Sequence, residues 1–224
     1  MASFPHGNDS AERYAEDRRL MIENQIRKRG VTNERVLSAI AAVPRHEFLP
    51  PFWINRAYAD EPLPIGHGQT ISQPYMVAAM VAALSLAGAE NVLEIGTGCG
   101  YQAAVLSLLA REVHTVELLP DLAQSAAERL QRLGYANVQV HAGDGTLGWI
   151  AQSPYNAILI AAAAPSIPEP LLQQLAEGGR LIAPVGDLDK QELQVIIRRE
   201  GKSLSKPGGA CRFVPLMGEY GWRK

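Results

Sequence analysis

The chain predicts an α/β protein built on a doubly wound, mostly parallel sheet, with an antiparallel strand at its C-terminal end and a helical segment before it. Three observations lead there. From residue 91 onward, short runs rich in Ile, Val, Leu and Ala alternate with helix-length segments, and the runs carry few charges, as strands covered on both faces do. One run, Val92-Leu93-Glu94-Ile95, ends in Gly96-Thr97-Gly98-Cys99-Gly100 and leads into a helical pattern. About 20 residues beyond the first glycine, Glu117 closes the next run, where such folds set a carboxylate against ribose hydroxyls.

Taken in order, residues 1–10 read as a loose tail. An amphipathic pattern from Ala11 to Arg29, with Leu20, Ile22 and Ile26 on its buried side, predicts a first helix that Gly30 stops. A second helix is expected from about Asn33 to Ala42, ending before Pro44. The stretch from Pro44 to Pro74 carries six prolines and little periodicity, the composition of a functional loop or lid. A helix over Tyr75–Leu86 follows. Strands at Asn91–Ile95, Glu112–Val116, Val138–Ala142, Ala157–Ala161 and Arg180–Pro184 then alternate with helices at Tyr101–Leu109, Asp121–Leu133 and Pro168–Leu175. Glu192–Arg199 and Ala210–Pro215 read as a strand pair closing the sheet.

Composition narrows the function classes. With 224 residues the chain can bury one substantial core. A net charge of −2 with dispersed Lys and Arg points away from nucleic-acid and anionic-membrane surfaces, and Arg27-Lys28-Arg29 fits a solvated helix end. Two cysteines, Cys99 and Cys211, give neither a disulfide framework nor a metal-ligand spacing, so no metal is expected. Asp9, Glu12 and Arg13 precede any apolar run, which argues against a secretory signal. The longest apolar stretch, Tyr75 to Ala89, is interrupted by Ser85 and falls short of the ~20 residues that span a bilayer. A soluble cytoplasmic protein is the expectation.

Glycine tolerates positive φ and lacks a Cβ, so alternate glycines let the backbone leave a buried strand sharply and press against a ligand. The dinucleotide fingerprint would need its third glycine at position 101, which is Tyr101. The form present, G-x-G-x-G over Gly96, Gly98 and Gly100 with Thr97 between and Glu94 two residues upstream, resembles the loop of S-adenosylmethionine-dependent methyltransferases. A parallel sheet wound on both sides binds its ligand outside the carboxyl ends of its strands. Three loops therefore matter: the glycine loop, Glu117 with Leu118, and Asp144-Gly145, where Asp144 could accept the adenine amino group and Gly145 admit the ring. Plain structural readings stand beside these: a tight strand-to-helix turn, a solvated strand-end glutamate and a simple Gly-Asp-Gly turn.

Over roughly residues 21–215 the sequence resembles the protein-L-isoaspartate O-methyltransferase family. The most specific stretch is Gly68-Gln69-Thr70-Ile71-Ser72-Gln73-Pro74. Val43-Pro44-Arg45, Ala162-Ala163-Ala164-Pro165, Gly178-Gly179-Arg180-Leu181 and Arg212-Phe213-Val214-Pro215-Leu216 resemble family segments in the same order. The chain departs from the pattern at Gln73, where alanine is common, at Ala161, where many members have glycine, and at Val77, where some carry histidine. The resemblance implies a Rossmann-like methyltransferase sheet. Residues 1–74 would be a helical segment and substrate-side loop packed on a core of residues 75–224, one structural domain overall. It further implies methyl transfer from S-adenosylmethionine, leaving S-adenosylhomocysteine, to the α-carboxylate of L-isoaspartyl residues in damaged proteins and peptides. That esterification initiates repair through succinimide formation. The partners would be such proteins, not nucleic acid or membrane, and a monomer is expected.

A carboxylate of pKa near 4 is already ionised at pH 7, so the reaction needs alignment more than a general base, in keeping with the lack of an evident His-Asp or Cys-His pairing. Ser72 is the candidate beside the reacting carboxylate, its hydroxyl donating one hydrogen bond, with Thr70 and Ile71 shaping the adjoining wall. A helix N-cap is the competing role for Ser72, since Pro74 suits a first turn. By resemblance, Val214 and Leu216 supply backbone contacts to substrate, while the residue types alone support only an ordinary final strand. His46 and His67 read as structural loop residues and Cys99 as a small side chain in the glycine loop. A methyltransferase of the same fold acting on a small molecule or RNA, and a noncatalytic cofactor-binding module, remain alternatives. A dehydrogenase is opposed by Tyr101.

Overall fold

The computed structural model describes residues 7–223. Helix α1 (Gly7–Met21) passes into a π turn (Ile22–Ile26) and a 3-10 turn (Arg27–Arg29), which ends at Gly30 in the left-handed conformation (φ 95°). The helix thus starts earlier than the expected Ala11. Asn8, Asp9 and Ser10 favour a helix start, which a reading keyed to apolar periodicity misses. The expected loose tail falls otherwise on residues 1–6, outside the described residues. Helix α2 (Glu34–Ala42) is capped by Asn33, whose side chain accepts from the amides of Arg35 and Val36 at 3.1 and 3.3 Å.

The proline-rich stretch is built, not irregular. It holds 3-10 turns at Arg45–Phe48 and Pro51–Arg56 and an antiparallel hairpin of β1 (Leu63–Gly66) and β2 (Gln69–Ile71). Helix α3 (Pro74–Leu84) follows and stops at Ser85, also left-handed. The alternating part then runs β3 (Asn91–Ile95), α4 (Tyr101–Ser107), β4 (Glu112–Glu117), α5 (Pro120–Arg132), β5 (Val138–Ala142), β6 (Tyr155–Ile160), α6 (Glu169–Gln173), β7 (Leu175–Gly186), β8 (Gln191–Arg199) and β9 (Lys202–Cys211).

The large sheet has the order β5-β4-β3-β6-β7-β8-β9, parallel from β5 to β7 and antiparallel at β8 and β9. The order reverses between β3 and β6, which is where a doubly wound sheet opens a crevice. Side chains alternate along each strand between two cores. Val92, Val113, Leu159 and Ile182 face a cluster shared with Ile26, Ile40, Val81 and Leu106 from the N-terminal turns, α2, α3 and α4. Leu93, Ile95, Ile158 and Leu181 face the other, with Leu171 of α6 and Leu216.

Two strand boundaries differ from expectation. β7 begins at Leu175, because the sheet takes in Gly178-Gly179 through a register shift opposite Tyr155 and Ala157. The last strand is Lys202–Cys211, not Ala210–Pro215. It is exposed almost throughout and carries Lys-Ser-Leu-Ser-Lys-Pro-Gly-Gly, which has no apolar alternation to mark it; the tight turn at Glu200-Gly201, both at positive φ, pairs it with β8. No described helix is long and apolar enough to cross a membrane.

Candidate functional site

At the carboxyl end of β3 the chain turns through Gly96, Gly98 and Gly100 at φ 91°, 55° and 91°. These left-handed values are cheap only for glycine. The loop is one wall of a cleft of about 720 Å³, within the ~300–1,000 Å³ usual for cofactor sites. Gly96, Thr97, Gly98, Glu117, Leu118 and Gly145 line it from the sheet side, and Thr70, Ile71, Ser72, Val214 and Leu216 from the other. The cofactor half and the substrate half of the expected site thus meet in one cavity.

Glu117 closes β4 and is nearly buried. Its Oε2 accepts the Gly98 amide at 2.9 Å and its Oε1 the Leu119 amide at 3.1 Å. Two charge-assisted bonds hold the carboxylate at the cleft wall, each oxygen keeping acceptor capacity. Glu94, expected at the cofactor, stands outside the cleft lining. It is fully buried beneath the loop, outside the cleft, where its Oε2 accepts from Thr115 Oγ1 at 2.6 Å and Thr115 in turn bonds Thr97 Oγ1 at 2.7 Å. Burial pushes its carboxyl up to about 8, which favours the protonated form near neutral pH in a support beneath the loop. Gly100 also lies outside the cleft; it starts α4, where a Cβ would press on Leu130 at 3.1 Å.

Asp144 likewise stands outside the cleft lining. It caps a 3-10 turn, its Oδ1 accepting the Thr146 amide at 2.9 Å and Thr146 Oγ1 at 2.7 Å, and its Oδ2 accepts the Glu219 amide at 2.7 Å. The carboxylate holds the turn and anchors the C-terminal segment, and it does not line the cleft. Gly145 does, but its lack of a side chain is needed first by packing: a Cβ there would stand 2.5 Å from Ile95 Cγ2.

Ser72 stands one residue before the N-cap of α3, which is Gln73, so its hydroxyl does not cap that helix. Among the described residues the hydroxyl has no hydrogen-bond partner. Its carbonyl accepts from Nη2 of Arg45 at 2.8 Å, and the Arg45 Nε donates to the Ala57 carbonyl at 2.7 Å. Arg45 is fully buried, with its guanidinium 4.9 Å from the Tyr101 ring centroid. Burial pulls its pKa below the ordinary arginine value.

Val214 and Leu216 line the cleft, but their backbone is largely committed. The Val214 carbonyl accepts from Ala163 and the Leu216 amide donates to Ala163, both at 2.7 Å, while the Leu216 carbonyl accepts from Trp222 at 2.8 Å. The Pro215 carbonyl between them accepts no hydrogen bond among the described residues. Among the described residues, free backbone capacity in this wall therefore sits at the Val214 amide and the Pro215 carbonyl.

Several cleft residues escaped the sequence reading. Gln102 and Trp222 line the wall, and Trp222 Nε1 donates to the Ala163 carbonyl at 3.0 Å. Gln102 follows the glycine loop directly, which was its available signal; Trp222 had none. His67, read as structural, lies in the cleft wall at φ 52°. His46 does serve structure, bonding the Tyr58 hydroxyl at 2.8 Å and stacking on Tyr14. Cys99 is buried, and burial pushes its thiol up, which disfavours the reactive thiolate.

The family model for protein-L-isoaspartate(D-aspartate) O-methyltransferase matches residues 16–221. A protein-L-isoaspartate O-methyltransferase of Methanoculleus marisnigri is 51% identical over 207 residues, 92% of this chain and 94% of that protein. Among solved structures, a protein-L-isoaspartate O-methyltransferase superposes with TM-score 0.83 at 29% identity, over 93% of this chain and 67% of the other. A Plasmodium falciparum structure assigned to the same enzyme, in complex with S-adenosyl-L-homocysteine, shares the fold with TM-score 0.77 at 24% identity, over 89% and 98% of the two chains. A match across nearly the whole chain, on a sheet that opens its crevice beside the same glycine loop, places this protein in the protein-L-isoaspartate O-methyltransferase family.

Proposed function

We propose that this chain is a protein-L-isoaspartate O-methyltransferase that esterifies the free α-carboxylate of L-isoaspartyl residues in damaged proteins and peptides, initiating their repair through a succinimide, with S-adenosylmethionine as donor and S-adenosylhomocysteine as product. One observation carries the reading: the Ser72 segment and the Gly98–Glu117 pair line the same cleft.

The residues present fit the cofactor. Glu117 keeps acceptor capacity for ribose hydroxyls, Gly98 removes a side chain from the approach, and Leu118 with the Gly145 backbone offers an apolar seat for an adenine ring. When bound, S-adenosylmethionine supplies a methyl group activated by its positive sulfur. Ser72 donates its hydroxyl proton in a hydrogen bond to one oxygen of the substrate carboxylate and so orients the other for attack. No side chain need remove a proton, because the acceptor is already an anion. The Val214 amide and the Pro215 carbonyl, with Leu216 beside them, meet the main chain of the substrate and leave its side chains unread. We take the helical segment and substrate-side loop up to residue 74 and the core from residue 75 onward, which also brings Val214 and Pro215 to the substrate, as one structural domain. We take the enzyme to act as a cytoplasmic monomer without nucleic-acid partners, the last point supported by the net charge of −2 and the dispersed basic residues.

The test is transfer of labelled methyl to an isoaspartyl peptide and to its aspartyl counterpart. Label on the isoaspartyl peptide alone is expected. Equal label on both, or label on neither, would remove the proposed substrate.

A further inference from the structure

Gln102 is the second residue of α4 and is 7% exposed, yet it lines the cleft. Its Nε2 is buried without a hydrogen-bond partner among the described residues. An amide nitrogen buried this far with nothing to bond is costly unless a ligand completes it.

Every glycine amide of the loop is already committed. Gly96 N–H donates to the Val116 carbonyl, Gly98 N–H to Glu117 Oε2 and Gly100 N–H to the Thr97 carbonyl, each at 2.9 Å. Among the described residues the cleft wall holds no lysine, and its one arginine is the exposed Arg223. The sheet order also assigns a direction. Gly145 follows β5, Glu117 ends β4 and the glycine loop follows β3, so a nucleoside with its base at Gly145 and its ribose at Glu117 sends its 5′ substituent toward β3 and the start of α4.

Resting on the cofactor assignment above, we propose that the Gln102 side-chain amide is the recognition element for the amino-acid end of the cofactor, its Nε2 donating to the methionine carboxylate. A neutral donor suits this place, since it binds the carboxylate without adding positive charge beside the sulfonium.

The experiment is calorimetric titration of S-adenosylhomocysteine, and of 5′-methylthioadenosine, which keeps base, ribose and sulfur but lacks the amino-acid end. Gln102→Leu should raise the Kd for S-adenosylhomocysteine about 10-fold, the loss of one hydrogen bond to a charged group, and leave 5′-methylthioadenosine within about twofold. Gln102→Glu keeps the shape and should weaken S-adenosylhomocysteine at least as much by repelling its carboxylate, again sparing 5′-methylthioadenosine; it also carries the test if Gln102→Leu fails to fold. Equal loss of both ligands, an S-adenosylhomocysteine Kd unchanged in Gln102→Leu, or a smaller loss in Gln102→Glu overturns the assignment. Wild-type protein that binds neither ligand would overturn the cofactor reading itself, whereas wild-type binding with unaltered variants overturns only the role of Gln102.

Discussion

Arg45 donates to the carbonyl of Ser72 at 2.8 Å from a fully buried position, and its second bond, to the Ala57 carbonyl, ties the 3-10 turn to the strand that leads into α3. A planar guanidinium spans the two carbonyls; the single ammonium of a lysine cannot. Arg45→Lys should therefore leave one buried carbonyl unpaired and lower the free energy of unfolding by about 1–3 kcal/mol. Because the bond ends at Ser72, kcat should fall as well, with S-adenosylhomocysteine affinity nearly unchanged. Urea denaturation with parallel calorimetry measures both, and an unaltered kcat would separate Arg45 from the site.

Ser72→Ala removes the one hydroxyl assigned to the substrate carboxylate and takes no helix cap with it, since the N-cap is Gln73. We expect methyl transfer to fall about 10- to 100-fold, the range of one hydrogen bond to a charged group, with cofactor affinity within about twofold. Steady-state rates set beside the S-adenosylhomocysteine Kd decide this. A parallel loss of rate and cofactor binding would count against the assignment.

Much of the fold and half of the site could be read from residues alone, and the reason is local. Strands β3 and β4 are buried on both faces and end before Gly96 and at Glu117, so periodicity and turn chemistry agree there. Gly98 and Glu117 were legible because their spacing is fixed by one helix between two adjacent strands. Arg45 and Trp222 were not, because their roles arise from contacts far apart in the chain, with Ser72 and Ala163. That Glu94 and Asp144 do not line the cleft was hidden for a related reason: sequence places an acid near a loop but not on which side of it. Burial under the loop in one case and a bond to Glu219 in the other set their roles. The strand Lys202–Cys211 had no apolar face to reveal it.

Glu94 makes stability depend on pH with a definite sign. Its carboxyl is pushed up to about 8 in the folded protein by burial, while the unfolded chain returns it to the ordinary carboxylate value. Below that ordinary value both states are protonated and the contribution is fully present. As pH rises the unfolded state loses its proton first, so stability declines until the folded group ionises near pH 8. Glu94→Gln keeps an acceptor for Thr115 and cannot titrate. Between pH 5 and 8 the wild type should therefore lose on the order of 2–4 kcal/mol more than the variant, read from urea midpoints at both pH values. Identical losses in the two proteins would refute a buried neutral Glu94.

Gly145 is required by the strand beside it. With alanine there, the new methyl would stand 2.5 Å from Ile95 Cγ2, and Ile95 is held in the core beneath the cleft. The loop must move outward, so Gly145→Ala should destabilise by about 1–3 kcal/mol and weaken both S-adenosylhomocysteine and 5′-methylthioadenosine, whose bases share that wall. Thermal unfolding and the two titrations check it. Unchanged binding of both would show that the base lies elsewhere.

Glu117 offers the sharpest contrast with Gln102. Both of its oxygens accept backbone amides, from Gly98 and Leu119, so Glu117→Gln turns one terminus into a donor facing a donor and misaligns the cleft wall. The ribose is common to S-adenosylhomocysteine and 5′-methylthioadenosine, so both should lose affinity by about 10- to 100-fold, the scale of a hydrogen bond to a charged group. Under the assignments made here, Gln102→Leu weakens only the first ligand and Glu117→Gln weakens both. Four dissociation constants thus locate the two ends of the cofactor independently. If Glu117→Gln left either ligand binding as in the wild type, the ribose would have to be moved off the end of β4.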